Sequence, residues 1–258
     1  MKLTGRGISK GEAEGTAVKV QKPVSFLGDV DPNTGTVFGE KSITDSIFVF
    51  PEGKGSTVGS YVIYQLKKNG TSPKGMINRR TETIVAAGAI ISDIPLIDQI
   101  DIDVIRDGDE MSIDYDKEEV ELIGVEQIDV VTAFLEKDDS ILLVKRSSEV
   151  KTYEGRWAGV SGYLEIGDPL EQAKIEIREE TNLEGKLLSK GKPVLARDGN
   201  KVWKVHPFLF RVEEEPELDW ENEKYEWVNP GEMKERKSVP KLWEAYSSAR
   251  CSYENQDR

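Results

Sequence analysis

Gly162-Tyr-Leu-Glu-Ile-Gly-Asp-Pro-Leu-Glu-Gln-Ala-Lys-Ile-Glu-Ile-Arg-Glu-Glu-Thr-Asn-Leu183 is a glycine turn with acidic residues that runs into a helix. Asp168 takes the N-cap and Pro169 the first helical position, where its fixed φ fits and its missing N–H costs nothing. Asn182 tolerates the left-handed conformation that closes a helix. Leu170, Ala173 and Ile177 form an apolar stripe, which predicts a helix seated on a sheet. At about 100° per residue, Glu176, Glu179 and Glu180 fall within a roughly 100° arc beside that stripe. Three carboxylates on one turn repel each other and call for a cation. Hard oxygen donors at that density suit Mg²⁺ or Mn²⁺, held jointly with substrate phosphates. The plainer reading is an acidic amphipathic helix with a solvated face; the glycine turn and the flanking apolar strands favour the metal.

Glu176-Ile177-Arg178-Glu179-Glu180 resembles the metal-binding core of the Nudix box, in which a glycine and an acidic residue precede Arg-Glu-apolar-x-Glu-Glu-x-Gly-apolar. The resemblance implies a Nudix α/β/α sandwich with a mixed sheet over residues 125–258. It implies Mg or Mn bound by Glu176, Glu179 and Glu180, with Glu179 or Glu180 activating water to cleave a diphosphate. Three positions depart from the pattern. Ile175 stands where the family has arginine, Asn182 where it has glycine, and the spacing after Asp168 is one residue short. The arginine would orient a glutamate, so the rival expectation is a weakly catalytic domain that binds a nucleotide or prenyl ligand and regulates. An isopentenyl diphosphate isomerase on the same fold needs a cysteine beside the box, and none stands there.

At 258 residues the chain is long enough for two modest domains, each with its own core. Residues 1–124 carry 14 basic and 20 acidic groups, and residues 125–258 carry 21 and 28. Neither half has the basic surplus that phosphate-backbone binding requires, which argues against a nucleic-acid partner. No long apolar run and no signal-like amino terminus occur, so no membrane partner and a cytoplasmic location are expected. Cys251 is the one cysteine; it excludes an internal disulfide and any multi-cysteine metal cluster held by this chain alone.

Residues 1–124 read as short strands between glycine turns. Thr16–Val20 alternates, and Ser46–Phe50 is a buried strand ending at Pro51. Glu52-Gly-Lys-Gly-Ser-Thr-Val-Gly-Ser60 then leads to Tyr61–Gly70, a helix closed by Lys67, Lys68 and Asn69-Gly70. The glycine loop thus delivers Ser56 to a helix amino terminus, where unpaired N–H groups favour an anion or an ionised hydroxyl. No Gly-Lys-Ser/Thr follows at Walker spacing, and by itself the loop reads first as a strand-to-helix turn with Ser56 as its cap. Ile84–Ile91 is a buried apolar segment, and Ile102–Arg106 and Met111–Tyr115 flank the turn at Asp107-Gly108-Asp109.

Four separated motifs sharpen this reading. Gly11-Glu-Ala-Glu-Gly15, Val24-Ser-Phe-Leu-Gly28 with Val30-Asp-Pro32, Pro51-Glu-Gly-Lys-Gly-Ser-Thr-Val-Gly-Ser-Tyr61, and Ala87-Gly-Ala-Ile-Ile-Ser-Asp-Ile-Pro95 occur in that order. Together they resemble the small subunits of archaeal phosphomevalonate dehydratases, the aconitase X swivel family. The resemblance implies a swivelling β/β/α domain that closes over a large subunit, its partner in a heteromer. The large subunit holds the iron–sulfur cluster, and Ser56 matches the family's serine proton acceptor. Gly53, Lys54 and Gly55 would bind substrate, with Arg79 and Arg80 gripping a phosphate. Lys54 is equally a solvated loop lysine, and an exposed arginine pair is more often only surface charge. A serine is a poor base unless its alkoxide is stabilised, which a helix amino terminus and Lys54 would do.

Residues 124–128 join the halves without a Pro/Ser-rich spacer. Ile128–Leu135 and Ser140–Lys145 predict a hairpin around Lys137-Asp-Asp139; Lys201–Val212 and Tyr225–Val228 predict strands. Glu213–Glu217 reads as a solvated acidic loop and 240–249 as a closing helix. His206 reads as structural rather than catalytic. Trp203 and Trp220 are candidates to stack on a base or simply to pack. The expected whole is a hydro-lyase subunit fused to a metal-dependent hydrolase of small phosphorylated substrates, isoprenoid diphosphates or nucleotides.

Overall fold

Phe48 and Phe50 lie two residues apart on the Ile47–Glu52 strand, so both rings take one face and stack at 4.8 Å. Phe26 meets them edge-on at 6.4 and 5.9 Å. The computed structural model describes residues 1–254 and separates into two units, Met1–Glu126 and Gln127–Arg258; positions 255–258, expected in the second domain, lie outside the described residues. Around the phenylalanines the first unit builds an eight-stranded sheet. Its order is Lys2–Thr4, Glu119–Leu122, Glu110–Asp114, Glu12–Lys19, Ile47–Glu52, Gly75–Arg80, Leu96–Asp98, Arg6–Ser9. The run from Glu12–Lys19 to Leu96–Asp98 is parallel, and the outer pairs are antiparallel. Parallel neighbours need crossovers. Helices Gly59–Asn69 and Thr83–Ile91 supply two of them, and their Val62, Ile63, Leu66, Val85 and Ala89 enter the phenylalanine core.

Several expectations shift here. The Ile84–Ile91 segment is helical, and its last two residues, Ile90 and Ile91, are exposed. Ile102–Val104 is a turn of 3₁₀-helix. The buried Lys19 holds that turn, its Nζ donating to the carbonyls of Ile102 and Ile105 at 2.6 and 2.7 Å. The helix expected from Tyr61 starts at Gly59, and its N-cap is Val58, which makes no side-chain cap. Ser56 is therefore a loop residue ahead of the helix. Gly70, at φ 72°, closes the helix as its sequence requires.

In the second unit a mixed sheet runs Trp157–Ala158, Ser140–Arg146, Glu126–Lys137, Lys201–Arg211, Lys186–Lys190. Val160–Tyr163, Val194–Asp198 and Asn222–Val228 pair onto it. Asp138 and Asp139 both take positive φ, at 48° and 61°, which makes the tight turn of the expected hairpin. Alternation divides the strands between two cores. Val131, Ala133, Phe208 and Phe210 join Ala173 and Ile177 of the acidic helix, Pro169–Thr181. Phe134, Ile141, Leu143 and Leu209 join Leu242, Ala245, Tyr246 and Ala249 of the closing helix, Leu242–Glu254. Each face of the sheet therefore carries a helix, giving the expected α/β/α sandwich.

Candidate functional site

In the first unit the carboxyl ends of the parallel strands share one sheet edge, the usual seat of ligands in open α/β sheets. Glu52 pairs in register with Arg80, so the loop 53–58 and the arginines leave the sheet together. Gly53 passes so close to Glu82 that a Cβ there would stand 2.4 Å from its carboxylate. That carboxylate caps the Thr83–Ile91 helix, accepting from the N–H groups of Ile84 and Val85. Gly55 has φ 98°, and a Cβ on it would reach within 2.9 Å of Ser25 Oγ. Lys54 is half-exposed, its Nζ 4.0 Å from Asp29 Oδ2. Ser56 is exposed, and its Oγ accepts a long 3.3 Å hydrogen bond from the Val58 N–H. Arg79 and Arg80 are engaged by acids of their own unit: Arg79 Nη2 lies 2.9 Å from Asp103 Oδ1, and Arg80 pairs with Glu52. The fold also brings in Ser25, whose neighbour Val24 forms a β-bridge with Gly53. Nothing in the residue pattern near 25 signals that approach.

In the second unit Asp168 caps the acidic helix, accepting from Leu170 and Glu171 N–H, and Asn182 ends it at φ 54°. The expected glutamates part company. Glu180 is buried, with Oε1 accepting the Ser161 N–H at 2.8 Å and Oε2 accepting Asn222 Nδ2 at 2.6 Å. Burial pushes its carboxyl up to about 8, against the pull of those two donors. Glu176 is half-buried; burial raises its carboxyl too, with Glu179, Glu221 and Glu165 adding repulsion. Its carboxylate rests against Gly162, where a Cβ would fall 2.0 to 2.4 Å from its atoms. Glu179 is exposed. The three carboxylates of the helix thus differ in surroundings, Glu180 enclosed, Glu176 half-buried and Glu179 open. Among the described residues no three histidine, cysteine or acidic groups are placed to hold a metal. Donors already meet these carboxylates: Ser161 and Asn222 bind Glu180, and Gln172 binds one oxygen of Glu176.

Beside the helix a cleft of about 380 Å³ is lined by Glu165, Glu176, Glu179 and Glu221, with Arg146 the one Lys or Arg among the described lining residues. Glu221 is raised by burial and by Asp219, and Arg146 opposes the rise. Glu221 and Asn222 arrive because the preceding loop is tied down, the Glu217 N–H bonding the Thr181 carbonyl and Asn182 Nδ2 bonding Glu217. The acidic loop is therefore not simply solvated; Glu215 also accepts from Lys137 Nζ and Trp227 Nε1, both at 2.8 Å. Tyr153, Trp203 and Tyr163 make an aromatic wall with centroid separations of 6.2 and 6.1 Å. Trp220 is exposed instead, and His206 bonds Asp129 at 2.7 Å away from the cleft lining. Gly162→Ala is expected to cost the second domain about 1–3 kcal/mol through overpacking against Glu176, read by chemical unfolding.

The aconitase X swivel domain profile matches residues 2–122 and the NUDIX domain profile residues 126–248. A phosphomevalonate dehydratase small subunit from Thermococcus sibiricus is 52% identical over 126 residues, 46% of this chain and 97% of its own. The holo-form of Thermococcus kodakaraensis aconitase X is 53% identical, covering 48% of this chain and 98% of that one, with TM-score 0.47. A NUDIX hydrolase from Nitrosomonas europaea is 18% identical, covering 49% and 90%, with TM-score 0.42.

Proposed function

Because the chain belongs to the aconitase X swivel family and carries a NUDIX domain, we propose that it is the small subunit of a phosphomevalonate dehydratase joined to a diphosphate hydrolase. The observation that carries the first half is Ser56, a serine hydroxyl on the loop after a central parallel strand that caps no helix. Loss of water from a β-hydroxy acid breaks one C–H and one C–O bond. Ser56, as its alkoxide, accepts the proton and becomes the neutral hydroxyl; the Val58 N–H, already 3.3 Å from Oγ, stabilises the negative charge the oxygen carries before that transfer. Lys54 is half-exposed, its acid partner Asp29 stands 4.0 Å away, and it is available to the substrate. Arg79 would exchange Asp103 for the substrate phosphate, a doubly charged and bidentate acceptor. The departing hydroxyl needs a Lewis acid. One cysteine, Cys251, does not fit an iron–sulfur cluster, which we assign to a large-subunit partner. Capture of the tagged chain from its native lysate should recover an iron–sulfur protein in fixed ratio; recovery of the chain alone would count against the assignment.

In the second half, four carboxylates against one arginine would repel a diphosphate. The donors fit a hard divalent cation in kind, and Mg²⁺ or Mn²⁺ bound there would neutralise phosphate charge and acidify water. Glu176, Glu179 and Glu221 line the cleft and would hold it; Glu180 would join by exchanging one of its two hydrogen bonds. Glu179 or Glu180 would take the proton of the attacking water. The aromatic wall supports a substrate with a flat or apolar group beyond the diphosphate, an isoprenoid diphosphate or a nucleotide. Phosphate release by the full chain from a panel of both classes, with and without Mn²⁺, tests this. Tight binding without turnover would favour a regulatory domain.

A further inference from the structure

We infer that Gln172 is the positioning residue of the acidic cleft, holding Glu176 by a neutral amide where the Nudix pattern would use an arginine at position 175. The inference rests on the proposed metal-binding reading of that cleft. Gln172 and Glu176 are four apart on the acidic helix, hence on one face. Gln172 Nε2 donates to Glu176 Oε1 at 2.7 Å. The other end of the amide is equally committed: Gln172 Oε1 accepts the N–H groups of Glu165 and Ile166 at 3.1 and 3.3 Å. Gln172 is 4% exposed, so these bonds are sheltered from competing water. One side chain therefore fixes both the glycine turn and the carboxylate behind it.

The carboxylate has little freedom left. Gly162 supplies the hollow against which it rests, and Gln172 binds one of its oxygens. Glu176 nevertheless lines the cleft. An amide donor also differs from an arginine in one consequential way: it orients the carboxylate without cancelling its charge. The cleft keeps four carboxylates against Arg146, and position 175 contributes the apolar Ile175 to its wall. The departure at 175 thus need not leave the centre unsupported, because the support has moved one turn back along the helix.

The test uses the full chain with Mn²⁺ alone, titrated by the electron paramagnetic resonance of unbound Mn²⁺, with thermal unfolding recorded for every variant. Gln172→Met is expected to weaken Mn²⁺ binding about 10–100-fold, the range for residues that orient a metal's ligands, while the chain still unfolds cooperatively. Adding Ile175→Arg to Gln172→Met is expected to restore at least tenfold of the loss, since a donor returns beside Glu176. A residue that merely staples the turn would not be rescued in this way. Undiminished Mn²⁺ binding by Gln172→Met, or no recovery in the double variant, overturns the inference. Absence of Mn²⁺ binding by the wild-type chain is a different result: it removes the metal-dependent reading of the cleft, and the inference with it. If Gln172→Met fails to fold, Gln172→Asn keeps the amide but shortens its reach, and the same loss and rescue are expected.

Discussion

Ser56→Ala, assembled with its large subunit, is expected to lose dehydratase turnover by about 10²–10⁴-fold, the range for removal of a positioned acid–base group. The substitution separates chemistry from folding cleanly. The helix that follows begins at Gly59 and takes no side-chain cap, so no helix end is left unsatisfied. Ser56 is exposed and gives up one long hydrogen bond, 3.3 Å from the Val58 N–H. The stability cost should stay within about 0.5 kcal/mol, as for other surface changes. Co-elution with the large subunit and an unchanged melting curve, together with lost turnover, are the expected pattern. Retained turnover would reduce Ser56 to a turn residue.

The second domain is expected to lose stability as pH rises from about 5 to about 9. Glu180 is lifted to about 8 by burial, well above its ordinary 4.5. A carboxyl raised in the folded state binds its proton more tightly there than in the unfolded chain. Its stabilising contribution is full below 4.5 and is lost as pH climbs through 8. A shift of that size corresponds to an upper figure of about 5 kcal/mol. Glu176, Asp219 and Glu221 are raised as well and steepen the same slope. Glu180→Gln should flatten most of it and stabilise the domain at pH 9. The new amide still accepts from Ser161, and its NH₂ can meet Asn222 Oδ1, now buried with no partner, once the Asn222 amide turns over. Guanidinium unfolding of both forms at pH 5, 7 and 9 measures this; equal slopes would mean that Glu180 is solvated in the folded chain.

Local signals carried the architecture well. Asp168, Pro169 and Asn182 mark the ends of the acidic helix because caps act through their own backbone neighbours. Ala173 and Ile177 mark its buried face because helical periodicity is a local property. Alternation in residues 130–135 and 205–210 sorted side chains between two cores in the same way. What escaped depends on tertiary approach. Gln172 looks like any polar helical residue until the glycine turn folds over it. Glu221 and Asn222 lie some forty residues beyond the box and reach it only because Glu217 is tied to the helix end. Angular spacing placed three glutamates on one arc but says nothing about which donors await each carboxylate, so the enclosure of Glu180 by Ser161 and Asn222 was not legible. The start of the helix after Ser56 was misplaced because Val58, a poor capping residue, occupies the cap.

The most direct test is the rate of water loss from phosphomevalonate by the purified full chain, alone and after mixing with the proposed iron–sulfur large subunit under anaerobic conditions. No turnover by the chain alone, and turnover that rises with large subunit to saturation at a fixed ratio, is the expected result. Turnover without the partner, or none with it while the two form a stable complex, would contradict the assignment of this chain as half of a dehydratase active site.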